Sequence, residues 1–144
     1  MAKTSTSRDA LKYLEELRFI KTKEEHPDFP YPVKKKYKDK SSTELENAIV
    51  DYITLSGGWA TKIQVEGRYN VKQGFRIPSR VKTGTSDVIA CWKGMFLAIE
   101  VKIGYDKQSE SQIEVQREIE RPSCSGKYFI AKDFDTFFKW INGL

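Results

Sequence analysis

The chain has 144 residues, 39% hydrophobic and 31% charged, enough apolar material for one ordinary core and too little for two. No apolar run approaches the ~20 residues of a membrane span, and the opening MAKTSTSRDALKY lacks the apolar centre of a secretory signal, so a cytoplasmic protein without membrane contact is expected. The formal charge of +5 suits a polyanionic partner, while one histidine and two cysteines, Cys91 and Cys124, leave too few groups for paired-histidine ribonucleases, Ser-His hydrolases, a disulfide framework or a Cys/His zinc site.

Residues 1–40 hold 11 Lys and Arg against 7 Asp and Glu, so most of the net positive charge lies there. Leu11, Leu14, Leu17 and Phe19-Ile20, interleaved with charges, predict an amphipathic helix over 7–25. The following EEHPDFPYPVKKKYKDKSS, with three prolines and the run Lys34-Lys35-Lys36, reads as an extended connector outside the core. Helix and connector are thereby set apart from a second unit over 41–144.

That unit opens with SSTELENAIVDYITLSGG, where hydroxyl residues suit an N-cap and Gly57-Gly58 a C-terminal stop. Leu45, Ala48, Ile49, Tyr52 and Ile53 form one apolar stripe of the helix between them. Strands are expected at 59–66 and around 71–77, then a polar loop through VKTGTS. Between Trp59 and Ser86 the cations Lys62, Arg68, Lys72, Arg76, Arg80 and Lys82 face only Glu66, a basic segment suited to nucleic acid. DVIACWKGMFLAIEVK then reads as a hairpin turning at Lys93-Gly94, SESQIEVQREIER as a helix, KYFIA as a strand, and DFDTFFKWI as a closing helix capped by Asp133. The order predicts an α/β layer fold with a mixed central sheet flanked by helices.

The hairpin poses a chemical question, because it carries three charges. With the turn at Lys93-Gly94, residues whose numbers sum to 187 face each other, which sets Asp87 against Glu100; Lys102 shares the face of Glu100. Opposed carboxylates repel unless a cation lies between them. Mg²⁺ would resolve this, held by Asp87, Glu100 and a backbone carbonyl such as that of Val101, with Lys102 placed to stabilise charge building on a phosphate. On the next helix Gln112, Val115, Gln116 and Ile119 share the face that should meet the sheet, so two amides approach the carboxylates.

D-V-I-A-x₉-E-V-K, preceded by Gly84 and followed by S-x-x-Q from Ser109 to Gln112, resembles the PD-(D/E)XK nucleases, and within them the VRR-NUC domains and Holliday-junction resolvases. The match covers Ser41 to about Ile141. It implies a restriction-endonuclease-like α-β-β-β-α-β core and a Mg²⁺-dependent endonuclease, with Mn²⁺ able to substitute and no small-molecule cofactor. The implied work is hydrolysis of DNA phosphodiester bonds in repair or recombination, on branched, nicked or flapped substrates. The family's metal ligands fall on Asp87 and Glu100, its catalytic lysine on Lys102 and its helix glutamine on Gln112. Its first-helix acid falls on Glu46, with Glu44 as the fallback. Ser86 stands where the family usually has proline. Lys62, Arg68, Arg76, Arg80 and Lys82, with Gln116, are assigned to DNA contact.

Two other classes compete: a nucleic-acid-binding module that keeps the fold without turnover, and a basic structural protein with no divalent site. A homodimer would suit a symmetric four-way junction, and Phe96, Phe134, Phe137, Phe138 and Trp140 could line its surface or fill the core.

Overall fold

The computed structural model describes residues 7–63, 68–70, 74–77 and 80–144; of Ser7, Arg68–Asn70 and Phe75–Ile77 only the backbone is described. In chain order the described elements are α1 (Ser7–Glu25), α2 (Ser42–Leu55), β1 (Trp59–Lys62), β2 (Arg68–Asn70), β3 (Phe75–Ile77), β4 (Val88–Trp92), β5 (Met95–Val101), α3 (Glu110–Glu120), β6 (Lys127–Ala131) and α4 (Phe134–Asn142). None of these helices is long and apolar enough to cross a membrane.

The main sheet has the order β1-β4-β5-β6. β1, β4 and β5 run antiparallel to their neighbours, while β6 is parallel to β5, the α3 connection supplying the crossover that a parallel pair requires. The sheet is therefore mixed, and from α2 onward the order is helix, five strands, helix, strand, helix, with β2 and β3 outside the main sheet. The β4–β5 turn has positive φ at both Lys93 and Gly94, as a two-residue hairpin turn demands, and its register sets Val88 opposite Ile99. The strand expected around 71–77 does not join this sheet: β3 pairs with β2 in a separate two-stranded ribbon. The rest of that expected strand, 71–73, and of the one expected over 59–66, at 64–66, lie outside the described residues. Alternation alone cannot assign a short strand to one sheet or another, because both offer the same pleat.

One apolar core lies between the sheet and α1, α2 and α4. From the sheet it takes Val88, Ala90, Trp92, Leu97, Ile99 and Val101, and from α2 the five residues of the predicted stripe. Phe134, Phe137 and Ile141 of α4 are fully buried there, and Phe138 and Trp140 pack partly buried against the same core, so the aromatic set is interior except for exposed Phe96. Alternate residues of β4 and β5, including Glu100, and Lys102 just past the end of β5, point to the opposite side, that of α3.

The core also crosses the expected 40/41 division. α1 contributes Ala10, Leu11 and Leu14, whereas Ile20 of the predicted stripe stays exposed. The connector, expected to lie outside the core, buries Tyr37 within it. Several of its residues are fastened to the helices, Tyr37 at both its backbone and its hydroxyl. Tyr37 donates its N–H to Glu15 (3.1 Å) and its hydroxyl to Asp51 (2.6 Å), Lys36 pairs with Glu15, and Asp39 accepts the N–H of Phe134 at the start of α4 (3.0 Å). Burial and the Asp51 carboxylate drive the Tyr37 phenol far above its usual range. Proline and lysine content predicted solvation, but one buried aromatic held by the buried Glu15 and the half-buried Asp51 outweighs it.

Candidate active site

Antiparallel pairing of β4 with β5 carries Asp87, just before β4, to Glu100 on β5, and the bond between them runs through the backbone: Asp87 Oδ2 accepts the Val101 N–H at 2.8 Å. Val101, expected to offer its carbonyl to a metal, is thus seen anchoring the first carboxylate through its nitrogen. The Asp87 carbonyl accepts the N–H of Ile63 (2.8 Å), which ties the same point to the end of β1.

Glu100 is 2% exposed and Lys102 8% exposed, an unusual depth for two charged side chains on neighbouring same-face positions. Glu100 Oε1 accepts from Gln112 Nε2 at 2.7 Å and lies 3.5 Å from Lys102 Nζ. Its other oxygen, Oε2, is buried without a hydrogen-bond partner. Burial first, and the neighbouring Asp87 charge second, push the Glu100 carboxyl up to about 7, with Lys102 opposing them in part. Lys102 also pairs with Asp106 (3.6 Å), a partner not foreseen from the sequence although its i,i+4 position follows directly after E-x-K.

Gln112 is placed by a device legible in its own motif. Ser109 is the N-cap of α3; its hydroxyl accepts the Gln112 N–H, and Gln112 Oε1 accepts the Ser109 N–H at 2.8 Å. S-x-x-Q is here a capping box. With the amide oxygen committed to the cap, the amide nitrogen faces Glu100. The loop before Asp87 leans on the same turn: Gly84 has φ +87°, and a Cβ there would overlap the Ser111 carbonyl. Gly84→Ala should therefore lower stability by about 2 kcal/mol and loosen the Gln112–Glu100 contact, read as a reduced denaturation midpoint with unchanged m-value. Ser86 is buried and donates its hydroxyl to the Val88 carbonyl (3.0 Å), which holds the backbone before Asp87 without a proline.

The remaining expected residues are placed as follows. Glu44 closes the capping box of α2 with Ser41, which removes the fallback from the site. Glu46 is held by Lys62 at 3.0 Å, and Lys62 pairs across the sheet with Val88, so the first-helix acid reaches the Asp87 end of β4 but in an ion pair. Among the described residues no three Asp, Glu, His or Cys side chains gather closely enough to hold an ion. Lys82 pairs with Glu118, Arg80 is exposed, and the side chains of Arg68 and Arg76, like Lys72 altogether, lie outside the described residues. Gln116 is half-buried: its Oε1 accepts from Gln108, which also reaches the Tyr128 hydroxyl, and its Nε2 donates to Glu120. Burial, with Glu100, Asp87 and Glu120 nearby, raises Tyr128 to about 12.

No protein-family model matches the chain, and no curated protein sequence matches it.

Proposed function

We propose that the chain is a Mg²⁺-dependent endonuclease of the PD-(D/E)XK type, VRR-NUC-like, with a restriction-endonuclease-like core, hydrolysing DNA phosphodiester bonds and favouring branched, nicked or flapped substrates. The observation that carries this is Glu100: a buried carboxylate beside Asp87, with one oxygen bound by Gln112 and the other without a partner. Lys102 lies 3.5 Å from the bonded oxygen and offsets the charge in part, but the unpartnered oxygen leaves a buried anion that costs several kcal/mol unless it is protonated or meets a further cation. Oxygen donors of this kind fit Mg²⁺, which takes one or two carboxylates and keeps waters. Asp87 and Glu100 would hold it, with Glu46 joining only on release from Lys62.

When bound, the ion would supply Lewis-acid polarisation of a phosphoryl oxygen and a nucleophile at neutral pH. The chain's own residues do the rest. Val101 N–H and Gln112 Nε2 fix the two carboxylates in direction, as partners behind metal ligands do. Lys102, paired with Glu100 and Asp106, presents a largely buried ammonium where charge would build on the phosphate. The Glu46–Lys62 ion pair favours a second reading, a nucleic-acid-binding module without turnover.

Strand scission on labelled linear, nicked, flapped and four-way DNA with Mg²⁺, Mn²⁺ or EDTA separates the two. Metal-dependent cutting that falls by a factor on the order of 10² to 10³ in Lys102→Ala supports the nuclease. Binding with no cutting by folded protein supports the module.

A further inference from the structure

The chain's lysines fall into two sorts. Lys34, Lys35 and Lys36 of the connector spend their charge on Glu16, Asp51 and Glu15, while Lys62 and Lys82 spend theirs on Glu46 and Glu118. Among the exposed cations that form no ion pair within the described residues, which include Lys12, Lys107 and Lys127, four lie close together: Arg8, Lys38, Lys40 and Lys132. These four are not scattered. Arg8, Lys38 and Lys40 line a groove of about 450 Å³ between α1 and the connector, floored by Leu11 and Tyr37. Lys40 and Lys132 line an adjoining groove of about 290 Å³ that reaches Ile103. Asp39 and Lys40 are common to both, so the two grooves are neighbours on one face.

The acids in this strip are half-buried and committed to the start of α4. Asp39 accepts the Phe134 N–H, and Asp133 caps α4 by accepting the N–H and hydroxyl of Thr136. Their charge is used on the helix start, and the lysines are left facing water. The strip also ends in the right place: the Ala131 carbonyl accepts the Lys102 N–H at 2.9 Å, so Lys132 follows directly on the residue hydrogen-bonded to the candidate catalytic lysine.

We propose that Arg8, Lys38, Lys40 and Lys132 form a track for the phosphate backbone of a nucleic acid, leading along the connector to the end of β5. The proposal rests on the nuclease reading for the direction of the track, and gives the N-terminal 40 residues a role in substrate binding. Unpaired cations spaced along a groove neutralise successive phosphates and release counterions, without reading base sequence.

The test is binding of the full chain to a labelled DNA duplex in EDTA, by fluorescence anisotropy, across about 50 to 200 mM salt. Lys40→Ala with Lys132→Ala should reduce the log–log salt slope by about 0.9 for each lysine, with equal effect on unrelated sequences. Lys127→Ala is the control, an exposed lysine at the opposite end of the strand that Lys132 follows. A slope that falls as much in Lys127→Ala, a slope unchanged in the double variant, or wild-type protein that binds no DNA would each overturn the track. Metal-dependent scission is scored separately on wild type. Its absence with the slope change intact would remove the nuclease and leave the track.

Discussion

Glu100→Gln should abolish metal-dependent scission, by a factor on the order of 10³ or more, and at the same time make the metal-free protein more stable at alkaline pH. Both effects come from one carboxyl. Its ordinary value of 4.5 is raised to about 7, because burial penalises the anion and Asp87 repels it. Between those two values the folded protein keeps a proton that the unfolded chain has already released. Stability therefore falls as pH rises through that window and levels off above it, a loss of the order of 2 kcal/mol. Glutamine retains an acceptor for Gln112 and carries no charge, so the loss disappears. Thermal melts in EDTA on either side of the window would show wild type weakening with pH and the variant holding level. Adding Mn²⁺ should raise the wild-type melting temperature more at high pH than at low, since the ion displaces the proton, and leave the variant unmoved. Scission surviving in Glu100→Gln, or equal pH profiles for the two proteins, would remove this account of the site.

Leu14→Ala should cost about 3 kcal/mol, and lower the melting temperature by roughly 10 °C, although it lies among residues whose composition reads as an appendage. Leu14 is fully buried in the core shared by α2, α4 and the sheet. Ile20→Ala on the same helix removes a side chain that is 52% exposed and should change stability by less than about 0.5 kcal/mol. Equal, small effects at both positions would mean that α1 packs only loosely on the rest. Chemical denaturation followed by circular dichroism distinguishes the cases, and the same comparison bears on the track, whose Arg8 stands at the start of this helix.

Much of this was legible in the chain itself. The α2 stripe, the Asp133 cap and the 187 register of the hairpin follow from local rules: side-chain periodicity, the hydroxyl or carboxylate that completes a helix start, and a two-residue turn that admits one pairing. Because that register is local, the meeting of Asp87, Glu100 and Lys102 could be deduced, and Gln112 could be set on the facing side of α3. The Gln112 orientation was also available, since S-x-x-Q is a recognisable cap.

What sequence could not decide was competition between partners. Gln116 has the same amide as Gln112 one helical turn on, yet it is taken by Gln108 and Glu120. Glu46 and Lys62 were separately plausible as ligand and DNA contact, and neutralise each other because α2 lies against β1. Lys36 and Lys38 are equivalent in composition, but only one lies within reach of Glu15. Periodicity and capping act over a few residues and are written in the chain; which charge meets which across elements depends on distances that exist only after the core has closed. The hairpin's carboxylates were therefore determined by the sequence, whereas the depth that raises Glu100 and the choice of cations left free were decided by the tertiary structure.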